Sequence, residues 1–164
     1  RDGNGLVVAL LLRPTSGDGA KYMYFSSRKH GGAKVPMRPH VPAWDGATDE
    51  VRLTEGVVKA DVATDLGGVL TVGLPGLHAA KLTYTLRRLG AKRVRLAFDA
   101  DATTNPNVAR AVSGHFKKLE RAGFEVSVER WAAADGKGID DLLAAGGPYA
   151  RLHRLQLSEP ATAE

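Results

Sequence analysis

The sequence predicts an α/β fold: a mainly parallel sheet of about four strands with helices on both faces, preceded by an N-terminal β-hairpin. From residue 50 onward, short β-rich apolar runs alternate with segments whose apolar residues recur at helical spacing. Glycines close those helical segments, at Gly67, Gly90 and Gly123. Near the start, the turn-rich stretch Thr15-Ser16-Gly17-Asp18-Gly19 separates two apolar runs, residues 5–13 and 22–26, as in a hairpin.

Taken in order, a basic loop over residues 28–43 follows the hairpin, with Gly31-Gly32 and three prolines that exclude long regular structure. A strand at 51–54 runs into Glu55-Gly56, then a helix over about 57–66 with Val58, Val62 and Leu66 on one face. A strand at 69–72 breaks into the loop Gly73-Leu74-Pro75-Gly76. The helix it opens, over about 77–89, has a Leu82, Leu86, Leu89 stripe. The apolar strand from Arg93 ends on Phe98-Asp99-Ala100-Asp101. Asn105 before Pro106 reads as an N-cap with Pro at the first helical position, and Val108, Val112, Phe116 and Leu119 give that helix its apolar face. A strand at 124–128, the loop Asp135-Gly136-Lys137-Gly138 and a short helix with Leu142 and Leu143 complete the pattern. The expected division is 1–48 for hairpin and basic loop, 49–146 for the α/β domain and 147–164 for an extension or linker.

With 164 residues, 43% hydrophobic and 25% charged, the chain can bury one ordinary core. It has no Cys, which excludes disulfides and thiolate metal sites. No apolar run approaches the ~20 residues of a membrane helix, so a cytoplasmic protein is expected. The chain begins at Arg1 rather than Met, as a piece of a longer protein would. Residues 1–40 carry seven basic and two acidic residues, so the whole net charge of +5 sits there, and the remainder holds sixteen of each. Such a segment suits a polyanion such as nucleic acid, and Arg28, Lys29, Lys34 and Arg38 are the side chains expected to track a phosphate backbone.

The chemistry centres on acids at strand ends. In an open α/β sheet, ligands bind beyond the carboxyl ends of the strands, where Glu55 and the pair Asp99 and Asp101 fall. On a continuing strand the two aspartates would face one side and repel unless a cation offsets them. Mg²⁺, which uses one or two carboxylates, waters and phosphates, fits best, with Mn²⁺ able to substitute. Glu55 is a third ligand or a general base. Gly56 permits close approach of substrate, and Lys59 on the next turn can reach a phosphate oxygen. Gly76 and Lys137 are further phosphate-binding candidates, and Asp140 and Asp141 a further acidic pair opening a helix. The five histidines show no metal-site spacing.

Together these residues resemble the toprim domain of primases, topoisomerases and some nucleases, whose sequences carry Glu-Gly after the first strand and Asp-x-Asp after the third. The closer similarity is to a toprim-like domain of unknown function in phage, plasmid and integrative-element replication proteins. It rests on Thr54-Glu55-Gly56, Lys59-Ala60-Asp61, Gly73-Leu74-Pro75-Gly76, Phe98-Asp99-Ala100-Asp101, Asn105-Pro106-Asn107-Val108 and Lys137-Gly138-Ile139-Asp140-Asp141-Leu142-Leu143. The resemblance implies a catalytic set of Glu55, Asp99 and Asp101. It also implies Mg²⁺ held at these acids, with Asp140 and Asp141 as further metal-binding residues, nucleotides and DNA or RNA as partners, and neighbouring domains in a larger replication protein. Lys59 and Asp61 replace the acid-first pattern that many primases show just after their Glu-Gly, and Thr103 stands where some toprim sites have a further acid. The activity expected is nucleotidyl or phosphoryl transfer in primer synthesis. A nuclease using the same residues and an inactive nucleic-acid-binding module are the alternatives.

Overall fold

The structure, a computed structural model, describes residues 1–15, 23–25, 31–32, 34–35, 37–76, 79–103 and 105–152. A two-stranded antiparallel ribbon comes first, β1 (Leu11–Leu12) against β2 (Met23–Tyr24). It is far shorter than the apolar runs that predict it. Leu6, Val7, Leu10, Leu12, Met23 and Phe25 are exposed, and a two-stranded ribbon without a packed face has little to extend it. Residues 16–19 of the predicted turn, and Arg28 and Lys29 of the basic loop, lie outside the described residues.

The main sheet forms around β3 (Glu50–Glu55), whose four inner residues are buried on both faces. After it come α1 (Val57–Gly67), β4 (Thr71–Leu74), α2 (Leu82–Arg88), β5 (Arg93–Leu96) and a 3-10 turn (Ala100–Thr103). The chain then forms α3 (Pro106–Arg121), β6 (Glu125–Arg130), α4 (Ile139–Ala145) and β7 (Ala150–Leu152). The strand order is β4-β3-β5-β6-β7, parallel except for β7, which pairs antiparallel with β6. β7 is a fifth strand, and it lies in the segment expected to be an extension. Three residues after Gly146-Gly147-Pro148 carry almost no strand signal. Their place is held by Arg151, which donates to Ser127 Oγ (3.1 Å) and pairs with Glu50.

Alternation along the strands separates two layers. Val51, Leu53, Val72, Leu74, Val94, Leu96, Val126 and Val128 face α2 and α3, meeting Leu82, Leu86, Val112, Phe116 and Leu119. Each such side chain, fully buried, contributes about 1.5–3 kcal/mol. The opposite face lies under α1 and α4, where Ala63, Ile139 and Leu142 form a smaller cluster with Ala97.

α1 departs from its expected packing. Val58 and Leu66 are 47% and 54% exposed, whereas Ala60, Ala63 and Thr64 are buried. The helix lies too close to β4 for large side chains: a Cβ on Gly73 would sit 2.5 Å from the Gly56 carbonyl oxygen and 3.0 Å from Ala60 Cβ. Thr64 fastens this contact, its hydroxyl donating to the Ala60 carbonyl (2.8 Å) and accepting from Thr71 N–H (2.9 Å). Gly73 and Leu74 therefore belong to β4 rather than to a loop. α2 starts at Leu82, six residues past Gly76, so Gly76 does not open a helix as expected. α3 agrees with its prediction, with Asn105 Oδ1 accepting from Asn107 N–H (3.1 Å) and Pro106 at the first position.

Candidate active site at the carboxyl rim

β3 and β5 are neighbours and parallel, so the chain leaves both at the same rim of the sheet. Glu55 is the last residue of β3 and half-buried. Gly56 comes next with φ +100°, a conformation that favours glycine and turns the chain from β3 into α1. Its N–H donates to the Leu74 carbonyl (2.9 Å), tying this turn to the end of β4.

The Asp-x-Asp geometry differs from the expectation. β5 ends at Leu96; Ala97 N–H still donates to the Leu53 carbonyl (2.9 Å), but Asp99 lies in irregular backbone and Asp101 sits in the 3-10 turn. Strand alternation thus does not aim the two carboxylates together. Asp99 pairs with Lys59 from the first turn of α1, both side chains largely buried. Asp101 is exposed, and its carbonyl accepts from Asn105 N–H (2.7 Å).

The loop before α4 closes the site from the third side. Ala100 N–H donates to the Lys137 carbonyl (2.9 Å), so Lys137 contributes backbone here while its side chain is exposed. A Cβ on Gly138 would lie 3.0 Å from Lys59 Nζ and collide with Asp140 Oδ1, so glycine lets these two groups converge. Asp140 Oδ1 is buried with no hydrogen-bond partner among the described residues. Asp141 is a helix-capping residue, its Oδ2 accepting from Gly138 N–H (3.2 Å).

Among the described residues no three His, Asp or Glu side chains lie close enough to hold a metal ion together. The donor types present fit Mg²⁺ in its usual sparse mode: hard carboxylate oxygens at Glu55, Asp99 and Asp101, and an orphaned carboxylate oxygen at Asp140. Lys34 is exposed, and Arg38 lines a cavity of about 520 Å³ between the N-terminal arm and the start of α1, with His40, Val57 and Val58.

Two arrangements escape the sequence. His40 Nε2 meets Asp61 Oδ1 at 2.9 Å, and the His40 backbone bridges Gly73 on β4. Burial pulls the imidazole below its ordinary range, against the opposing effect of Asp61. The second is a charge network across the α1/α4 face of the sheet. Arg52 Nε donates to Glu129 Oε2 (2.7 Å), Arg95 Nη1 to Glu129 Oε1 (3.1 Å), and Glu50 pairs with Arg95 and Arg151. The hydrogen bond from Arg95 is the main cause that holds the Glu50 carboxyl at about 2. Alternate polar residues in Glu50-x-Arg52 and Arg93-x-Arg95 are the signal that could have revealed it.

A family model described as "Domain of unknown function (DUF3854)" matches residues 44–150. The chain belongs to the DUF3854 family. The matched span of this DUF3854 chain holds Glu55, Lys59, Asp99, Asp101 and Asp140. No curated protein matches the sequence. Among solved structures the chain is similar to a DNA primase domain from Pseudomonas aeruginosa, at 16% identity and TM-score 0.60, covering 90% of this chain and 46% of that one. It is similar to the zinc-binding and RNA polymerase domains of the Aquifex aeolicus primase (16%, 0.61, 90% and 36%). It is also similar to the DnaG catalytic core (15%, 0.60, 90% and 47%). The chain spans less than half the length of each, and at this identity the likeness establishes a primase-like fold.

Proposed function

We propose that this DUF3854 chain is a toprim-like domain that carries out Mg²⁺-dependent nucleotidyl transfer on nucleic acid, in primer synthesis by a mobile-element replication protein. The observation that supports it is the delivery of Glu55 and Asp99 to one rim from adjacent parallel strands, with Lys59 between α1 and Asp99. Asp99 and Asp101 would hold Mg²⁺, with Mn²⁺ able to substitute; when bound, the ion supplies neutralisation of phosphate charge. Glu55 takes the proton of an attacking 3′-hydroxyl, whose oxygen bonds to the α-phosphorus as the bond to pyrophosphate breaks. Lys59, paired with Asp99 at rest, exchanges to a phosphate oxygen when substrate enters. Neighbouring domains of a longer protein would complete the template path.

The Lys59–Asp99 pair also favours a second reading, a nucleic-acid-binding module without turnover, since the ammonium already offsets the charge that a cation would. Primer synthesis on a single-stranded template with Mg²⁺ or Mn²⁺ separates the two. Under the first reading the double variant Asp99→Ala/Asp101→Ala loses at least a hundred-fold in rate while staying folded by circular dichroism. Equal rates in variant and parent sink the catalytic assignment, and salt-sensitive binding without turnover under either metal supports the module.

A further inference from the structure

We propose that the outer face of α3 is a separate nucleic-acid contact, one that seats a phosphodiester backbone across Arg110, Gly114, Lys118 and Arg121. It rests on the nucleic-acid part of the reading above and not on the chemistry assigned to Asp99 and Asp101.

At 3.6 residues per turn, Asn107, Arg110, Gly114, Lys117, Lys118 and Arg121 all fall within an arc of roughly 120° on α3. They lie opposite the core residues Val112, Phe116 and Leu119. Arg110, Lys117, Lys118 and Arg121 are exposed. Among the described residues none of the four takes part in an ion pair. Arg110 is steadied by Asn107, Nη1 donating to Oδ1 at 3.2 Å. Four uncompensated cations on one exposed arc, with no carboxylate and no apolar anchor among them, suit a regularly charged polyanion better than a protein surface.

Gly114 supplies an independent observation. A glycine inside a helix costs roughly 1 kcal/mol relative to Ala, and here the fold does not require it: a Cβ at this position would meet nothing within 4 Å. It and Ala111 instead floor a groove of about 520 Å³ flanked by Arg110 and Lys118. A missing side chain between two cations lets a backbone approach the helix closely. The arc also points somewhere useful. α3 begins directly after the 3-10 turn that holds Asp101, so a strand lying along the ~21 Å from residue 107 to residue 121 leads to the carboxyl rim.

The test is fluorescence anisotropy with a labelled single strand and a duplex of the same sequence, titrated with salt. Removing one phosphate-binding cation lowers the slope of log K against log salt by about 0.9 on duplex or about 0.7 on a single strand. Arg110→Ala/Lys118→Ala is therefore expected to lower it by about 1.8 or about 1.4 and to weaken binding roughly ten-fold or more at 0.1 M salt. Arg88→Ala/Lys92→Ala, the same change in net charge at two exposed residues elsewhere, should leave the slope within error. Gly114→Gln is expected to weaken binding while the melting temperature holds or rises; a purely structural glycine would give the reverse. A parental slope in the α3 double variant, an equal fall in the control pair, or no binding by the parent overturns the proposal. Asp99→Ala/Asp101→Ala reads out separately: lost synthesis with an unchanged slope concerns the rim alone, and unchanged synthesis leaves the α3 contact standing.

Discussion

The two helical layers of this small sheet carry opposite charge, and they treat their cations differently. α2 and α3 together hold six basic residues and one acidic, whereas α1 and α4 hold one basic and four acidic. Under the acidic layer the sheet face bears Arg52, Arg93, Arg95 and Arg151, each paired with a carboxylate. The basic layer covers an apolar sheet face, and the lysines and arginines of α3 point outward without carboxylate partners among the described residues. A buried arginine must be paired to be tolerated, so pairing marks the cations that hold the fold together. Those left unpaired at the surface are the ones available to a partner.

This contrast is breakable by mutation. The largest effect is expected from Glu129→Ala, whose side chain is 0% exposed and accepts from both Arg52 and Arg95. Two guanidinium groups lose their shared partner, at a cost of roughly 3–5 kcal/mol in urea unfolding. A loss below about 1 kcal/mol would mean that the network is not structural.

Acid should act next. Glu50 has its carboxyl lowered from 4.5 to about 2, by the Arg95 hydrogen bond first and by Arg151 as well. Because the folded value is depressed, the stabilisation is present above pH 4.5 and is lost as pH falls toward 2. His40, lowered by burial, works in the same direction from pH 6.5 downward, since the unfolded chain takes up its proton first. Glu50→Gln should remove roughly 2 kcal/mol at neutral pH and flatten the acid limb, as read from unfolding midpoints across pH. The smallest effect belongs to the other layer. Lys117→Ala/Arg121→Ala should change stability by no more than about 0.5 kcal/mol per site, and a larger loss would erase the distinction between the faces.

How much of this is legible in the sequence depends on where each signal sits in the chain. α3 is readable because its cap, its Pro106 and its apolar stripe are local and agree. α1 inverts its apparent pattern because close approach to β4 selects Ala60 and Ala63, leaving the larger Val58 and Leu66 in solvent. β7 escapes notice because its anchor, Glu50, lies 101 residues away from Arg151. At the rim, the order of acids is visible, but their relative aim is not. A strand continuing to Asp101 would point both aspartates one way, whereas β5 stops at Leu96 and a 3-10 turn redirects the chain beyond it. His40 and Asp61, 21 positions apart, have no pattern to betray them.

The bridge between His40 and Gly73 has a consequence for how the molecule behaves in a crowd. β4 is the outermost parallel strand, and its unpaired backbone would otherwise be a template for a neighbouring chain. His40 N–H donates to the Gly73 carbonyl (2.7 Å) and its carbonyl accepts from Gly73 N–H (2.9 Å), capping that rim at the point where α1 leaves no room for a side chain. The arm upstream of the sheet thus acts as a gatekeeper against self-association, and its removal would first be felt as aggregation.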